Sequence, residues 1–333
     1  MNHYLNKKRI NMEVKNVVVT GGLGFIGSNF IEAALKRGWN VTNIDKKTYA
    51  ANDIDFDNHP NYHLNVKDIK DLKTLPDCDL IMNFAAESHV DNSISDSNLF
   101  LDSNIAGVHN LLNIIIKQMQ DNFIHGWNYK VPVFFQISTD EVFGDIDEGF
   151  FKTDSRLVPS NPYSATKAAA EMLVVAWGRT YKIPYFISRT TNNYGPRQHP
   201  EKLVPNTITS LLAGKKVPIH GKGQHIRNWI NVKDNVNAIM TIIEKGELNN
   251  FYHIASKEEY SVVAVVKKVA EVLKMDFNSS VEFTSDRSGA DVRYALNTDE
   301  TDKLGWKPKI SFEKGITELV EFYKNLMSKN EKS

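Results

Sequence analysis

Tyr163 and Lys167 lie four positions apart in the segment NPYSATKAAAEML. A helix that starts at Asn161 or Pro162 would project both side chains from one face. A free tyrosine has a pKa of about 10, and a neighbouring ammonium lowers that pKa by stabilising the phenolate. The pair could then remove a hydroxyl proton while hydride leaves the same carbon. The same spacing also occurs on ordinary solvated helix faces, so its meaning depends on the surrounding motifs.

A glycine-rich turn lies upstream of this pair. The segment NVVVTGGLGFIGSNFIEAALKRG predicts a strand, a turn and a helix, with Gly22, Gly24 and Gly27 in the G-x-G-x-x-G pattern and Gly21 directly before it. Such glycines let the backbone approach a pyrophosphate, whose charge then lies at the N-terminus of the helix. The alternative is a turn that serves packing alone. The strand and helix around the glycines favour dinucleotide binding.

An acidic residue follows the next predicted strand, VTNID. Asp45 lies where a carboxylate can accept hydrogen bonds from the ribose hydroxyls of adenosine. A carboxylate there would repel a 2′-phosphate, which favours NAD over NADP, although Lys46 and Lys47 follow directly. A bound nicotinamide cation would also help to stabilise the Tyr163 phenolate. The sequence therefore predicts NAD as the cofactor.

Strands and helices alternate along the first half of the chain. Strands are predicted at NVVVT, VTNID, Tyr62–Val66, LIMNFAA, VPVFFQIS and YFISR, and helices at about 28–37, 104–120 and Pro162–Tyr181. This alternation is typical of the α/β class and predicts a Rossmann-type doubly wound parallel sheet. The runs that are apolar throughout suit strands covered by helices on both faces.

The composition of the sequence changes after Asn193, where NYGPRQHPEKLVP and GKKVPIHGKGQ are rich in Gly, Pro and basic residues. Helices are predicted near Val232–Lys245 and Val262–Leu273. We predict a flexible tail at 1–13, an NAD-binding domain at 14–193 and a smaller α/β substrate-binding region at 194–328. Segments at about 228–255 are expected to return to the first domain.

Composition restricts the class of partner. The 333 residues contain 40 Lys plus Arg and 40 Asp plus Glu, so no net charge draws the protein to nucleic acid or to acidic membranes. No apolar run approaches the roughly 20 residues that span a bilayer, and the polar N-terminus lacks the apolar segment of a secretory signal. The single cysteine, Cys78, agrees with a reducing compartment. We expect a cytoplasmic protein that binds a small molecule.

Seven ordered motifs resemble the extended short-chain dehydrogenase/reductase family, and its nucleotide-glucose 4,6-dehydratases in particular. They are TGGLGFIGS, NFAAESHVDNSI, STDEVFGD, NPYSATKAAAEMLV, TNNYGPRQHPEKLVP, VPIHGKGQHIRNWI and DRSGADVRY, spread from about 20 to 294. The resemblance implies NAD-dependent conversion of UDP-glucose or dTDP-glucose to a 4-keto-6-deoxy sugar, as in deoxysugar or rhamnose biosynthesis. It also implies a homodimer formed by the helix at 104–120 and the helix that carries Tyr163.

The run Thr139, Asp140 and Glu141 resembles the dehydratase signature. Oxidation at C4 makes a ketone that acidifies the C5 hydrogen, so one group must take that proton while another protonates the departing C6 hydroxyl. By resemblance Glu141 is the base at C5 and Asp140 the acid at C6, and the acid needs a raised pKa to keep its proton near neutrality. Hydride then returns to C6, and the net reaction is loss of water. In isolation these residues would be a polar loop after a strand.

The resemblance also implies the binding residues. The catalytic set is Thr139, Asp140, Glu141, Tyr163 and Lys167. Cofactor contacts are implied at Gly21, Gly24, Phe25, Ile26, Gly27, Asp45, Lys46, Lys47, Thr48, Asn65, Val66, Ala85, Ala86, Ser103, Tyr163, Lys167 and Asn193. Substrate contacts are implied at Ser88, Thr139, Asn192, Lys202, Leu203, Pro218, Ile219, His220, Arg227, His253 and Arg287. The arginine forks suit the oxygens of a diphosphate.

Four positions depart from the pattern of bacterial dTDP-glucose enzymes. Asn65 stands where an acidic residue normally faces the adenine, His253 where Asn is usual, Ala290 where His is usual, and His220 where Tyr is frequent. The runs NPYSATKAAAEMLV, HVDNS and PIHG are more similar to the UDP-glucose 4,6-dehydratase part of rhamnose synthases. The sequence therefore favours UDP-glucose over dTDP-glucose.

Three other functions are compatible with part of this sequence pattern. A nucleotide-sugar epimerase or decarboxylase would share the glycine turn and the Tyr–Lys pair, but Asp140 and Glu141 argue against both. A catalytically inactive NAD-binding protein would have no need of these four side chains. A metal site at His59 and His63 is not expected, because HPNYH is predicted as a solvated turn.

Overall fold

The computed structural model describes residues 12–54, 56–126, 129–285 and 292–330. The strands are β1 Asn16–Thr20, β2 Asn40–Asp45, β3 Tyr62–Val66, β4 Leu80–Asn83, β5 Val133–Thr139, β6 Tyr185–Thr190, β7 Asn192–Tyr194, β8 Val217–His220, β9 Ile226–Asn231, β10 Asn250–Ile254, β11 Glu259–Ser261 and β12 Val281–Thr284. The helices are α1 Phe25–Lys36, α2 Val90–Ser95, α3 Asn98–Phe100, α4 Gly107–His125, α5 Pro162–Tyr181, α6 Leu203–Leu212, α7 Val232–Lys245, α8 Val262–Leu273, α9 Phe277–Ser280, α10 Asp299–Asp302 and α11 Phe312–Asn330. A π-helical segment, Leu101–Ala106, joins α3 to α4, and 3-10 turns lie at Ile69–Asp71 and Asp140–Phe143.

Seven parallel strands form the main sheet in the order β10-β6-β5-β4-β1-β2-β3. The chain builds outward from β1 to β3 on one side and from β4 to β10 on the other. The direction of winding therefore reverses between β1 and β4, and ligands of such sheets bind beyond the carboxyl ends of the strands at this point. The predicted Rossmann-type doubly wound sheet is confirmed.

Helices cover both faces of this sheet, as the apolar strands predicted. On one face α1 and α7 pack on β1, β5 and β6 through side chains such as Phe30, Ile31 and Ile239. On the other face α4 and α5 pack through side chains such as Leu111 and Ile115. Burial of these large apolar side chains is the main favourable contribution to folding.

Helix α5 has the bounds that the sequence predicted, because several local signals agree at its start. The Asn161 side chain accepts from Ser164 N at 2.9 Å, the Ser164 hydroxyl reaches back to Asn161, and Pro162 occupies the first turn. This capping box satisfies backbone donors that a helix start would otherwise leave unpaired. Helix α1, by contrast, begins at Phe25 rather than near position 28, directly after the glycine turn.

The helical stretch Asn98–His125 is longer than the predicted 104–120, and it corrects the statement that no apolar run has the length of a membrane span. By length and composition alone this stretch could cross a bilayer, but half of its most apolar window is buried inside the protein. Leu111, Leu112 and Ile115 on α4 pack against the sheet and α5. The stretch is therefore a core helix of the α/β fold.

The smaller region contains a three-stranded sheet, β11-β9-β7, and a two-stranded parallel sheet, β12-β8. Its core joins α6, α8 and α11 through side chains such as Val265 and Ile316. Strand β10 pairs with β6 of the main sheet. The domain bounds stay a prediction. At the N-terminus, Met12 packs against the core and residues 1–11 lie outside the described part.

Candidate active site

A cavity of about 740 Å³ opens beyond the carboxyl ends of β1, β2, β4, β5 and β6. Its size is typical of ligand pockets. On its wall lie the predicted residues Gly21, Gly24, Phe25, Ile26, Gly27, Asp45, Lys46, Thr48, Ala85, Ala86, Ser88, Ser103, Thr139, Asp140, Glu141, Tyr163, Lys167, Asn192, Asn193, Lys202, Leu203, Pro218, His220 and Arg227. The structure therefore brings most of the residues implied by the resemblance to one place.

The glycine turn forms one end of the cavity. Gly21 has a φ of +68°, and a Cβ there would lie 2.6 Å from the backbone of Ala85. A Cβ on Gly27 would lie 2.4 Å from the Gly21 carbonyl oxygen. Helix α1 then starts with no side-chain cap and no acidic residue in its first turn. Its first N–H groups are left to a ligand, as a pyrophosphate requires.

Asp45 is tied to this turn. Its Oδ2 accepts from Leu23 N at 2.9 Å and its Oδ1 accepts from Lys47 N at 2.8 Å. Lys46 Nζ donates to Ser103 Oγ at 2.8 Å and lies 3.1 Å from Glu87 Oε1. The Lys46 charge is therefore compensated inside the protein, and Asp45 provides a carboxylate at this end of the cavity.

These features fit an NAD molecule. The turn leaves space for a backbone-bound pyrophosphate, and the carboxylates beside it suit free ribose hydroxyls rather than a phosphate. Asn193 Oδ1 is buried on the cavity wall and has no hydrogen-bond partner in the described part of the chain. Such an atom is available to a ligand, since an unpaired buried polar atom is otherwise costly.

Tyr163 and Lys167 project from the first turns of α5 into the cavity, and both are buried. Lys167 Nζ donates to the carbonyl oxygen of Ile137 on β5 at 2.6 Å. Burial lowers the pKa of Lys167 to about 8, and the Glu171 carboxylate opposes this shift. Burial and the charge of Glu141 raise the pKa of Tyr163, while the nearby Thr139 side chain opposes the rise. In the chain alone the pKa of Tyr163 is therefore raised rather than lowered, and a bound cation is needed to reverse the direction.

The acidic turn follows directly at the end of β5. Thr139 donates its hydroxyl hydrogen to Asp140 Oδ1 at 3.1 Å, and Asp140 is 3% exposed. Burial and the neighbouring Glu141 charge raise the pKa of Asp140 to about 7, with Arg227 and Thr139 acting in the opposite direction. Asp140 Oδ2 is buried with no partner in the described ranges. A carboxyl group in this setting can hold a proton near neutrality and give it to a ligand.

Glu141 lies beside this acid but is less buried. Its backbone N donates to Thr139 Oγ1 at 3.3 Å, and its Oε2 accepts from Asn161 Nδ2 at 3.4 Å. Asn161 also caps α5, which carries Tyr163. The turn and the helix therefore meet at Glu141, and the two carboxyl groups face the same space as the phenol.

Basic side chains line the opposite end of the cavity. The Arg227 guanidinium stacks 4.4 Å over the Tyr294 ring and donates to the Ile226 carbonyl at 2.8 Å. Burial lowers the pKa of Lys202, and the Glu201 and Glu141 carboxylates oppose that shift. His220 Nδ1 lies 3.0 Å from the Thr284 hydroxyl at the end of β8. This end suits a negatively charged diphosphate.

Five of the implied contacts that lie in the described part of the chain are not on the cavity wall. Asn65 and Val66 are exposed on the edge strand β3, which ends before it reaches the cavity. Asp68 and Ile69 lie on the wall in their place, so the acidic residue that Asn65 lacked is present at Asp68. The first acidic residue after the strand end was the signal that could have identified it.

The other corrections have separate physical causes. Lys47 is exposed and does not line the cavity, and Ile219 is fully buried in the core of the smaller region. His253 is also fully buried, with Nδ1 2.9 Å from the Asn297 carbonyl and Nε2 3.4 Å from Arg189. Burial and the Arg189 charge lower its pKa to about 3. Arg287 and Ala290 lie outside the described residues.

Several wall residues were missed by the sequence analysis. Examples are Tyr49, Glu87, His199, Glu201 and His225. Glu201 Oε2 lies 3.5 Å from His199 Nδ1 and 3.8 Å from His89 Nε2. Glu201 therefore connects a loop of the smaller region to the loop before α2. Their positions depend on how distant loops meet. In the described part of the chain no cluster of His, Cys, Asp and Glu could hold a metal ion.

Comparison with known proteins identifies one matching family. The family model described as GDP-mannose 4,6 dehydratase matches residues 18–319. A low-salt glycan biosynthesis protein, Agl12, of Haloferax volcanii is 40% identical over 316 residues, which cover 92% of this chain and 98% of that protein. A dTDP-glucose 4,6-dehydratase of Haemophilus influenzae is 39% identical, covering 92% of this chain and 97% of that protein.

Two further relatives differ in the nucleotide that their names state. A trifunctional UDP-glucose 4,6-dehydratase, 3,5-epimerase and reductase of Arabidopsis thaliana is 35% identical, covering 93% of this chain and 47% of that protein. The crystal structure of DesIV, a dTDP-glucose 4,6-dehydratase of Streptomyces venezuelae with NAD and TYD bound, has a TM-score of 0.83 and 35% identity. It covers 93% of this chain and 97% of that one.

Proposed function

The chain belongs to the GDP-mannose 4,6-dehydratase family and is an NAD-dependent nucleotide-sugar 4,6-dehydratase of it, and we propose that its substrate is UDP-glucose, with dTDP-glucose as the second candidate. The product is then the 4-keto-6-deoxy sugar, which feeds deoxysugar synthesis of the rhamnose type. The observation that carries the proposal is the meeting of the buried acid Asp140 with Glu141, Tyr163 and Lys167 in one cavity. An epimerase or a decarboxylase has no use for this pair of carboxyl groups.

The first step concerns C4 of the sugar. When bound, NAD supplies the chemistry of taking hydride from C4 and returning it to C6. Tyr163 takes the proton of the C4 hydroxyl, and the Lys167 ammonium, held by the Ile137 carbonyl, contributes the positive charge that favours the phenolate. The N-terminus of α1 and Asp45 would hold the cofactor at its pyrophosphate and ribose.

The second step is the loss of water. Glu141 takes the C5 proton that the C4 ketone has acidified, and Asp140 gives its proton to the C6 hydroxyl, which leaves as water. The raised pKa of Asp140, about 7, lets it carry this proton at neutral pH. Glu141 then returns the proton to C5. The sugar has lost one water, and its C4 hydrogen has moved to C6.

The preference for UDP rests on the runs NPYSATKAAAEMLV, HVDNS and PIHG, the last of which contains His220. His220 lies on the cavity wall at the end of β8, where it meets Thr284. The relatives named above include both UDP-glucose and dTDP-glucose dehydratases, so the nucleotide base is part of the proposal. Arg227 and Lys202 would hold the diphosphate of either substrate.

We also propose that the protein is a cytoplasmic homodimer. Ile94 on α2, Leu99 on α3, Leu101 in the π-helical segment and Met172 on α5 are each about half exposed or more. Because α2, α3 and α5 contact one another, these side chains can contribute to one contact surface. The resemblance implies that the helix predicted at 104–120, which the structure has as α4, and the helix α5 form the dimer interface.

The decisive experiment supplies purified protein with UDP-glucose and dTDP-glucose separately, in the presence of catalytic NAD only. Mass spectrometry should detect loss of one water from the preferred substrate without net reduction of NAD. The Glu141→Gln variant is the control, because it should bind NAD normally but lose turnover. Absence of water loss from both substrates, with a changed sugar configuration or net reduced cofactor from another nucleotide sugar, would replace the dehydratase by an epimerase or a dehydrogenase.

A further inference from the structure

Glu171 and Arg189 form an ion pair beneath the catalytic residues. Their side chains are 0% and 2% exposed, and Arg189 Nη2 lies 2.8 Å from Glu171 Oε2. Arg189 Nε also donates to Glu171 Oε1 at 3.1 Å, so the planar guanidinium binds both carboxylate oxygens. Neither residue lines the cavity.

Stability alone does not account for burying two charges at this place. Removing both ions from water costs several kcal/mol, and apolar side chains of similar volume often give a fold that is equally stable. The pair does provide direction, because a fork on a carboxylate fixes distance and orientation together. The residues that contact the Glu171–Arg189 pair show which elements it orients.

The carboxylate belongs to the helix that carries the phenol and the ammonium. Glu171 lies one turn beyond Lys167 and two turns beyond Tyr163 on α5, and all three side chains are buried. The Glu171 charge also supports the protonated form of Lys167 against burial. The position of Glu171 therefore sets how α5 is rotated and placed along the sheet.

The guanidinium belongs to the sheet and touches the acidic turn. Arg189 on β6 pairs in register with Ser138 on β5, directly before Thr139. Its guanidinium carbon lies 4.6 Å from the ring of Phe143, the last residue of the turn that carries Asp140 and Glu141. The Phe251 ring lies at 4.6 Å as well, and Arg189 Nη1 donates to the Thr153 carbonyl at 2.9 Å.

We propose that the Glu171–Arg189 pair is a positioning unit that sets the Tyr163–Lys167 helix and the Asp140–Glu141 turn in register for one sugar. The inference rests on the proposed dehydratase function. Oxidation at C4 and elimination across C5 and C6 use groups on different elements, and both must reach neighbouring carbons of the same ring. Misplacement of about 1 Å is sufficient to slow such a reaction strongly. Glu171 and Arg189 act through α5 and Phe143 and do not touch the substrate.

The test replaces both charges at once with Glu171→Leu and Arg189→Met, since removal of one charge would leave the other buried and unpaired. The expected double variant keeps its unfolding temperature and its calorimetric affinity for NAD, and its KM changes less than about threefold. Its kcat falls at least about tenfold. An unchanged kcat would overturn the proposal.

A second readout separates positioning from simple loss of active protein. During a single turnover in D₂O, reduced cofactor reports oxidation at C4, which depends on the α5 pair, while exchange of the C5 hydrogen also requires Glu141 on the turn. A register fault should raise the ratio of reduced cofactor to C5 exchange in the double variant. An unchanged ratio with lowered activity shows a purely structural role and contradicts the inference.

Two further variants keep the test decisive. Arg189→Lys serves as the test if the double variant does not fold. It retains the charge but not the planar fork, so its kcat should also fall. A wild-type kcat would overturn the proposal. Asp234→Asn is the matched control, because this buried carboxylate accepts from Lys309 N and Ile310 N away from the cavity. It should lose stability while kcat stays unchanged. Wild-type protein that shows no water loss refutes the proposed function itself.

Discussion

The hydroxyl of Thr139 lies between Asp140 and Tyr163. It donates to Asp140 Oδ1 at 3.1 Å, and it is close enough to the Tyr163 phenol to oppose the rise in the pKa of that group. The proposed reaction leaves one extra proton on Tyr163 and removes one from Asp140, while Glu141 returns the proton that it took. The enzyme is therefore reset when a proton passes from Tyr163 to Asp140, and Thr139 is the group that lies between them.

Removal of this link should affect the second turnover more than the first. Asp140 is 3% exposed and Tyr163 is 8% exposed, so solvent has little access to either group. The Thr139→Val variant is expected to give a burst of about one dehydrated product per site, followed by a steady state at least about tenfold slower than wild type. Rapid-quench mass spectrometry measures both phases. Thr139→Ser retains the hydroxyl and should show no burst.

One outcome would contradict this role of Thr139. A Thr139→Val variant that slows the first and later turnovers equally would assign Thr139 to the C4 step and exclude the reset role. Thr139 also lowers the pKa of Asp140 through its hydrogen bond. The carboxyl signal of Asp140 should therefore titrate at higher pH in Thr139→Val than in wild type, which can be measured by ¹³C NMR without any turnover.

Asp140 should also make stability depend on pH. Its folded pKa of about 7 lies above an unfolded value of about 3.9, so the folded state holds the extra proton between these values. The stability from this proton is fully present below about pH 4 and is lost as pH rises to about 7. Asp140→Asn remains neutral and should unfold at a higher temperature than wild type near pH ~8.

The comparison needs two pH values. Near pH ~5 the gain of Asp140→Asn over wild type should be smaller, because wild-type Asp140 is then protonated. Thermal unfolding followed by circular dichroism gives both differences. A gain of the same size at both pH values would show that the carboxyl of Asp140 does not titrate in this window.

Local signals in the sequence located the catalytic elements, whereas distant contacts decided the rest. The start of α5 follows from Asn161, Pro162 and Ser164, which are neighbours along the chain, and its bounds were predicted correctly. His253 is different. The burial and hydrogen bonding of His253 depend on Arg189 and Asn297, which are distant in the sequence. No local sequence pattern could therefore predict them.

At the cofactor end of the cavity, too, local sequence patterns were predictive and long-range contacts were not. Gly21 and Asp45, which line the cavity, were among the predicted residues because the turn and the strand end are short local patterns in the sequence. Asp68 was missed in favour of Asn65, because the place where β3 ends relative to the cavity depends on its pairing with β2. Strand pairing is a long-range property, and an error of a few residues along one strand exchanges an exposed residue for a wall residue.

Asp45 should determine the choice between NAD and NADP. Replacement by Ser removes the charge that would repel a 2′-phosphate, and it also removes the acceptor for Leu23 N and the ribose hydroxyls. The Asp45→Ser variant is expected to bind NAD at least about tenfold more weakly, and its ratio of NADP to NAD affinity should rise. Calorimetry with each cofactor measures both. The exposed Asp57→Ser, outside the cavity wall, is the control, and an unchanged ratio in Asp45→Ser would contradict the assignment.

The proposed dimer surface gives the last prediction. Along α5 the outward positions Ala165, Ala169, Met172 and Ala176 are all apolar and at least partly exposed, and they recur at helical spacing. Met172 is 48% exposed in the single chain. A charge at the centre of this stripe would be buried and unpaired when two copies pack through α5, which costs several kcal/mol.

Met172→Glu should therefore convert a dimer into a monomer, measured by light scattering during gel filtration. Leu326→Glu is the matched control, because Leu326 is an apolar residue of similar exposure, 44%, on α11. It should leave the mass of the wild-type dimer unchanged. A dimer that persists in Met172→Glu moves the interface away from α5, and a monomeric wild type refutes the dimer. Because α5 also carries Tyr163 and Lys167, the monomer is expected to lose part of its kcat while Leu326→Glu keeps it.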